Sequence, residues 1–182
     1  MFKYLLLVLL AIFSFTLSSC ATPVSGLQSY IDAADGYQFL YPNGWLQVDL
    51  KSGSKGVDVV FRDLIERTEN LSVTIGEVPE NKTLSDLGSP SEVGYRFLKE
   101  INKDVSLNRE IDLITAESHE TGGKTYYTLE YQVKLPERER HDLASIAISR
   151  GKLYILNLST NQNRWEKIKT LFEKVANSFS VA

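Results

Sequence analysis

Two histidines, His119 and His141, are the side chains in this chain best suited to acid–base or metal chemistry. An imidazole exchanges a proton near neutral pH or ligates a metal through one ring nitrogen. His141 stands between Arg140 and Asp142, so a charged pair flanks it directly. A metal site there needs further donors, and the carboxylates read as scattered, in Asp32 with Asp35 and in Asp58 with Asp63. None has the spaced oxygen ligands of an EF-hand loop. Acyl transfer would need an activated hydroxyl, and no Gly-x-Ser-x-Gly elbow occurs. Gly53-Ser54-Lys55-Gly56 does not match the phosphate-cradling P-loop. The chain therefore reads as a non-enzyme. An enzymatic alternative requires a pocket in which His141 or His119 meets a Ser or Asp.

Cys20 is the single cysteine, which excludes an internal disulfide and a four-cysteine zinc site. Its chemistry is set by what precedes it. Lys3 is followed by an apolar run from Tyr4 to Phe15. At about 12 residues that run falls short of the ~20 a membrane-spanning helix needs. It has the proportions of a secretory leader. The leader closes with Leu17-Ser18-Ser19-Cys20, which resembles a bacterial lipobox. Residues 1–19 are expected to be removed as a signal peptide and Cys20 to be acylated. Two acyl chains hold a protein stably on a bilayer where one is marginal. Residues 20–29, with Pro23 and Gly26, read as a flexible tether, and residues 30–182 as one domain. The net charge of −3 argues against nucleic acid as a partner.

Strand patterns must position the candidate residues. Two apolar runs, His141–Ser149 and Leu153–Leu158, flank Gly151 and read as a hairpin in the middle of a sheet. Further strands are expected at Gly36–Tyr41, Trp45–Val48, Val57–Arg62, Asn70–Val78, Ile111–Thr121 and Lys124–Lys134. Alternation puts Leu71, Val73 and Ile75 on one face of their strand. It likewise separates Tyr127, Leu129, Tyr131 and Val133 from Tyr126, Thr128, Glu130 and Gln132. Lys51–Gly56 reads as a mobile loop and Pro136–Arg140 as an exposed charged one. Ser89-Pro90-Ser91-Glu92 is a helix start with a capping box, and that helix should end near Asn102. A second helix is expected from Asn163, as its cap, to Asn177. Its apolar stripe runs through Trp165, Ile168, Leu171, Phe172 and Val175. Hairpin-joined strands with cover on both faces predict an α+β fold, an α/β/α sandwich on a central antiparallel sheet.

The motifs together resemble the PsbP family. They are Asp35–Trp45, Asp58–Ile65 with Thr68–Asn70, Leu87–Gly94, Lys124–Tyr127 with Glu130-Tyr131, Arg140-His141, Gly151–Tyr154, Arg164-Trp165 and Ser178-Phe179. They cover nearly all of the expected domain in order, and the chain is most similar to the lipoprotein branch of the family in cyanobacteria.

The resemblance implies an extrinsic protein of photosystem II on the lumenal side of the thylakoid membrane. It would support assembly or stability of the oxygen-evolving complex, with Ca²⁺ and chloride retention as a further implied role. Plant members help retain Ca²⁺ and chloride through a long N-terminal extension that has no counterpart here. Photosystem II core proteins are the implied partners, the membrane is reached through lipid, and the protein is expected to be a monomer. No cofactor is required. The family also implies a weak divalent site for Ca²⁺ or Zn²⁺ at His141, with Gln162 where some plant-type members carry a carboxylate. Arg140, His141, Asp142 and Arg164 are the expected partner-binding residues, near the loop Glu137–Asp142. His119 and His141 otherwise read as solvated surface groups. A general periplasmic lipoprotein scaffold or chaperone is the alternative outside photosynthesis.

Overall fold

A computed structural model describes residues 26–50, 56–103 and 108–182. The leader, Cys20, most of the tether and nearly all of the Lys51–Gly56 loop lie outside the described residues. Among the described residues ten strands occur: β1 Leu27–Asp32, β2 Tyr37–Pro42, β3 Trp45–Gln47, β4 Val57–Asp63, β5 Asn70–Glu77, β6 Glu110–Thr121, β7 Lys124–Leu135, β8 Arg138–Ser149, β9 Lys152–Asn161 and β10 Ser180–Val181. Two α-helices join them, α1 Pro90–Ile101 and α2 Trp165–Ser178. Among the described residues no helix is long and apolar enough to cross a membrane.

Seven strands form one antiparallel sheet in the order β3-β4-β5-β9-β8-β7-β6. The hairpin β8–β9 lies inside it, and its turn uses Arg150 and Gly151 at φ +51° and +72°. Both central residues with φ > 0 give the turn whose twist suits a tight hairpin. Gly122 and Gly123 do the same between β6 and β7, at φ +60° and +74°.

α1 covers one face. Ser89 caps it and Glu92 returns the bond to the Ser89 backbone, so two otherwise orphaned N–H groups are satisfied. Gly94 lets α1 come down on the sheet, since a Cβ there would lie 3.1 Å from Leu113 Cδ2. Tyr127, Leu129, Tyr131, Ala144 and Ile146 pack beneath it. α2 covers the other face, with Trp165, Phe172 and Val175 set against Leu71, Val73, Leu143, Leu156 and Leu158. Fully burying each large side chain contributes roughly 1.5–3 kcal/mol before entropy. The sandwich is therefore the one expected.

Four details differ from the sequence reading. β2 does not join the large sheet; it forms a separate three-stranded sheet in the order β1-β2-β10. That sheet shares the α2 side, where Tyr37 and Phe39 join its core. β1 begins at Leu27, so part of the expected tether is strand. The charged run Pro136–Arg140 is the tip of a two-residue hairpin between β7 and β8. Asn163 does not cap the last helix. A short 3₁₀ turn at Gln162–Arg164 precedes it, and no side chain caps α2.

Candidate functional site

The strand β8 carries His141 and Asp142 next to each other, so they leave opposite faces of the sheet. His141 points to the α2 side and is only 3 % exposed. The expectation of a surface imidazole is therefore corrected. Register places Gln132 of β7 and Thr160 of β9 beside it. Its Nδ1 lies 2.9 Å from Gln162 Oε1 and its Nε2 2.8 Å from Glu130 Oε1. The ring stacks on Trp165, with centroids 3.8 Å apart and planes 12° from parallel. Lys169, one turn along α2, sits over the same indole, its Nζ 5.6 Å from the ring centroid. Its Nζ is 3.9 Å from the second oxygen of Glu130. The imidazole is thus held by two hydrogen bonds and an aromatic plane.

Asp142 points to the α1 side into a second polar cluster. Its Oδ1 accepts from Asn157 Nδ2 at 3.1 Å, and Asn157 Oδ1 accepts from Tyr131 at 2.7 Å. Arg140 gives its Nε and Nη2 protons to Ser159 Oγ, at 2.9 and 2.7 Å, and Nη2 also reaches the Thr68 carbonyl at 2.8 Å. Asp142 Oδ2 is buried with no hydrogen-bond partner. Burial pushes the Asp142 carboxyl above the usual carboxylate range, against the opposing pull of Ser159, Asn157 and Arg140. Burial likewise pushes the Tyr131 phenol well above its ordinary value.

Arg164 closes the same end of the sheet. Its Nε lies 2.6 Å from Glu69 Oε1 and 3.5 Å from Glu66 Oε2. Glu69 is 2 % exposed, and Thr160 Oγ1 also donates to it, at 3.4 Å. The four expected partner-binding residues do converge on one end of the sheet. His141 and Asp142 are interior there, while Arg140 and Arg164 are half-buried and bonded inward. A partner reaching this end meets a shallow depression of about 550 Å³, lined by Thr68, Glu137, Arg138, Glu139, Asn161 and Gln162 among others.

His119 is half-buried rather than solvated. Its ring stacks on Tyr126 at 5.4 Å and 14°. Both nitrogens of His141 are taken by Glu130 and Gln162, so the arrangement contains no His–Ser or His–Asp pair at that residue.

The carboxylates contain a surprise for the sequence reading. Asp58, 23 residues after Asp35, joins the neighbouring pair Asp32 and Asp35, and the three bring their oxygens within 4.8 Å of one another. Lys152 Nζ already sits 2.8 Å from Asp35 Oδ1, and Tyr37 donates to Asp58. Two residues of the His141 site escaped sequence reasoning, Glu130 and the stacked face of Trp165. Strand alternation placed Glu130 on the right face, but only the β7–β8 register brings it to the histidine.

A divalent ion at His141 has few donors to meet. Nδ1 and the Gln162 amide oxygen supply two, and the Glu130 carboxylate stands at the other ring nitrogen. Among the described residues the one cluster of three His, Cys, Asp or Glu ligand atoms is Asp32, Asp35 and Asp58. Two neutral donors do not suit a hard cation such as Ca²⁺, which takes six to eight oxygens.

The PsbP family profile matches residues 25–181. CyanoP from Synechocystis is 55 % identical over 170 residues, covering 92 % of this chain and 90 % of that one. PsbP-like protein 1 of Arabidopsis thaliana chloroplasts is 35 % identical, covering 91 % of this chain and 69 % of that one. The solution structure of Synechocystis CyanoP superposes with a TM-score of 0.77 at 54 % identity, covering 91 % of this chain and 99 % of that one.

Proposed function

The chain belongs to the PsbP family, and from that premise we propose that it is a non-catalytic extrinsic protein of photosystem II. It works on the lumenal side of the thylakoid membrane, anchored through acylated Cys20. It supports assembly or stability of the oxygen-evolving complex. One observation carries the non-catalytic part of the reading. The histidine best placed for chemistry has both nitrogens committed to Glu130 and Gln162 and its face committed to Trp165. A general base must reach the proton it abstracts, and this imidazole is spent on holding β7, β8 and α2 together.

Docking, on this reading, uses the sheet end that carries Arg140, His141, Asp142 and Arg164. Those residues act mainly from inside, by making the depression around Glu137–Glu139 and Gln162 stiff. A preorganised surface loses less freedom on binding than a loose one. No metal step enters the mechanism, since His141 and Gln162 supply too few donors.

The test is affinity purification of the tagged protein from detergent extracts of thylakoids. Photosystem II reaction-centre subunits should co-purify. Recovery of cell-envelope proteins alone would overturn the reading. Deletion of the gene should lower photosystem II accumulation; a defect confined to limiting Ca²⁺ or chloride would instead favour ion retention.

A further inference from the structure

The corner where β3 meets β4 exposes apolar side chains that the docking reading does not use. Ile65 is 95 % exposed, and Leu64 and Leu46 are exposed too. Leu46 pairs with Arg62, and the Leu64 N–H donates to the Gly44 carbonyl at 3.3 Å, so the three belong to one sheet corner. An exposed isoleucine on a loose loop would mean little. This loop is tied down. Asp63 Oδ1 accepts from the Ile65 and Glu66 N–H groups at 2.6 and 2.8 Å. Thr68 donates to Glu66 at 2.6 Å, and Arg140 donates to the Thr68 carbonyl. Glu69 anchors the loop's far end through the buried pair with Arg164. A buried carboxylate and two arginines therefore hold an apolar tip out in solvent.

The occupant follows from where the chain enters. The Gly26 carbonyl accepts from Asn43 at 2.9 Å, one residue before Gly44, so the chain enters the domain beside this corner. Cys20 lies six residues before Gly26. Six extended residues span at most about 20 Å. A bilayer holding Cys20 is therefore within reach of Leu64 and Ile65. Local acids are turned inward, Asp63 onto backbone N–H groups and Glu66 and Glu69 onto Arg164. Arg62 and Arg67 stay exposed on either side of the tip. Apolar residues rimmed by arginine suit an anionic lipid surface, where each basic residue near the surface adds attraction.

We propose that Leu46, Leu64 and Ile65 form a membrane-contact tip. It dips into the headgroup–acyl boundary of the bilayer that holds Cys20 and so fixes the domain's orientation on its tether. The proposal rests on reading Cys20 as the anchored residue, and the experiment separates the two. The chain starting at Cys20 keeps the whole described fold, which begins at Gly26. Cys20, the single cysteine, is coupled to a maleimide phospholipid in vesicles of phosphatidylcholine with a minor share of phosphatidylglycerol and brominated acyl chains. Ile65→Trp is compared with Tyr95→Trp, an exposed site on α1. The buried Trp45 and Trp165 give a background that the unsubstituted chain subtracts. Bromine should quench Trp at 65 severalfold more than Trp at 95. Equal quenching at both positions would mean a freely tumbling domain and overturn the tip. No quenching at 65, with a spectral shift there on photosystem II core complexes, would overturn it in favour of a protein partner. Mass spectrometry of the protein from cells tests native acylation separately. An unacylated Cys20 would sink the anchor reading while the vesicle result still stands or falls on geometry.

Discussion

His141 and Asp142 are consecutive on β8, yet their surroundings differ in kind. His141 has a hydrogen-bond partner at each ring nitrogen, the Gln162 amide and the Glu130 carboxylate, and an indole against its face. Asp142 has one oxygen satisfied and one orphaned, and burial holds its carboxyl above the usual range. A buried polar group that is fully bonded rigidifies its surroundings, whereas a half-bonded one is a standing cost. The α2 side of this sheet end is thus the finished side, and the α1 side keeps an unpaired buried oxygen. The contrast predicts that substitutions on the His141 side destabilise, while one on the Asp142 side changes the pH response.

Trp165→Ala should have the largest effect. Trp165 starts α2, stacks on His141 and meets Phe172 edge-on at 6.2 Å. Its removal leaves a cavity and uncovers the imidazole, so a loss of about 3–5 kcal/mol is expected in urea unfolding. A loss below about 1 kcal/mol would mean the histidine side is not the stiff one.

Glu130→Ala comes next. It leaves His141 Nε2 without its acceptor in a buried site, and the loss should be roughly 1–3 kcal/mol. Glu130→Gln keeps an oxygen within reach and should restore most of that stability. If glutamine were no better than alanine, the Glu130–His141 contact would not be what matters.

Why one side was easier to read than the other has a physical basis. The capping box at Ser89, the glycine hairpins and the alternating faces of β7 are local patterns, and each appears as read from the sequence. The His141 site is assembled from Glu130, Gln162 and Trp165, at separations of 11, 21 and 24 residues. Such contacts depend on register, and a one-residue slip would point Glu130 at the other face. Glu69 and Arg164 are 95 residues apart and nothing local pairs them. The second sheet was missed for a different reason. β10 has two residues and β1 has polar Gln28 and Ser29 among its six, so neither shows a period. The Asp32–Asp35–Asp58 cluster needs β1 and β4, from different sheets, to meet.

Asp142→Asn is the smallest expected effect and the sharpest test of the contrast. The amide keeps an oxygen for Asn157 and removes the buried charge, but gives up attraction to Arg140. These oppose each other, so the net change at neutral pH should stay within about 1 kcal/mol. The pH dependence has a definite sign. A carboxyl raised on folding keeps its proton in the native state at pH values where the unfolded chain has released it. The folded state then binds more protons, and its stability falls as pH rises from the unfolded carboxylate value, about 3.9, through the folded one. Asparagine cannot titrate, so that fall disappears. The variant should gain on the parent as pH climbs out of the acid range, and the gap should level off above the folded value. Urea midpoints measured across that range read the gap directly. Parallel curves would place the Asp142 carboxylate in a satisfied site and erase the difference between the two faces of β8.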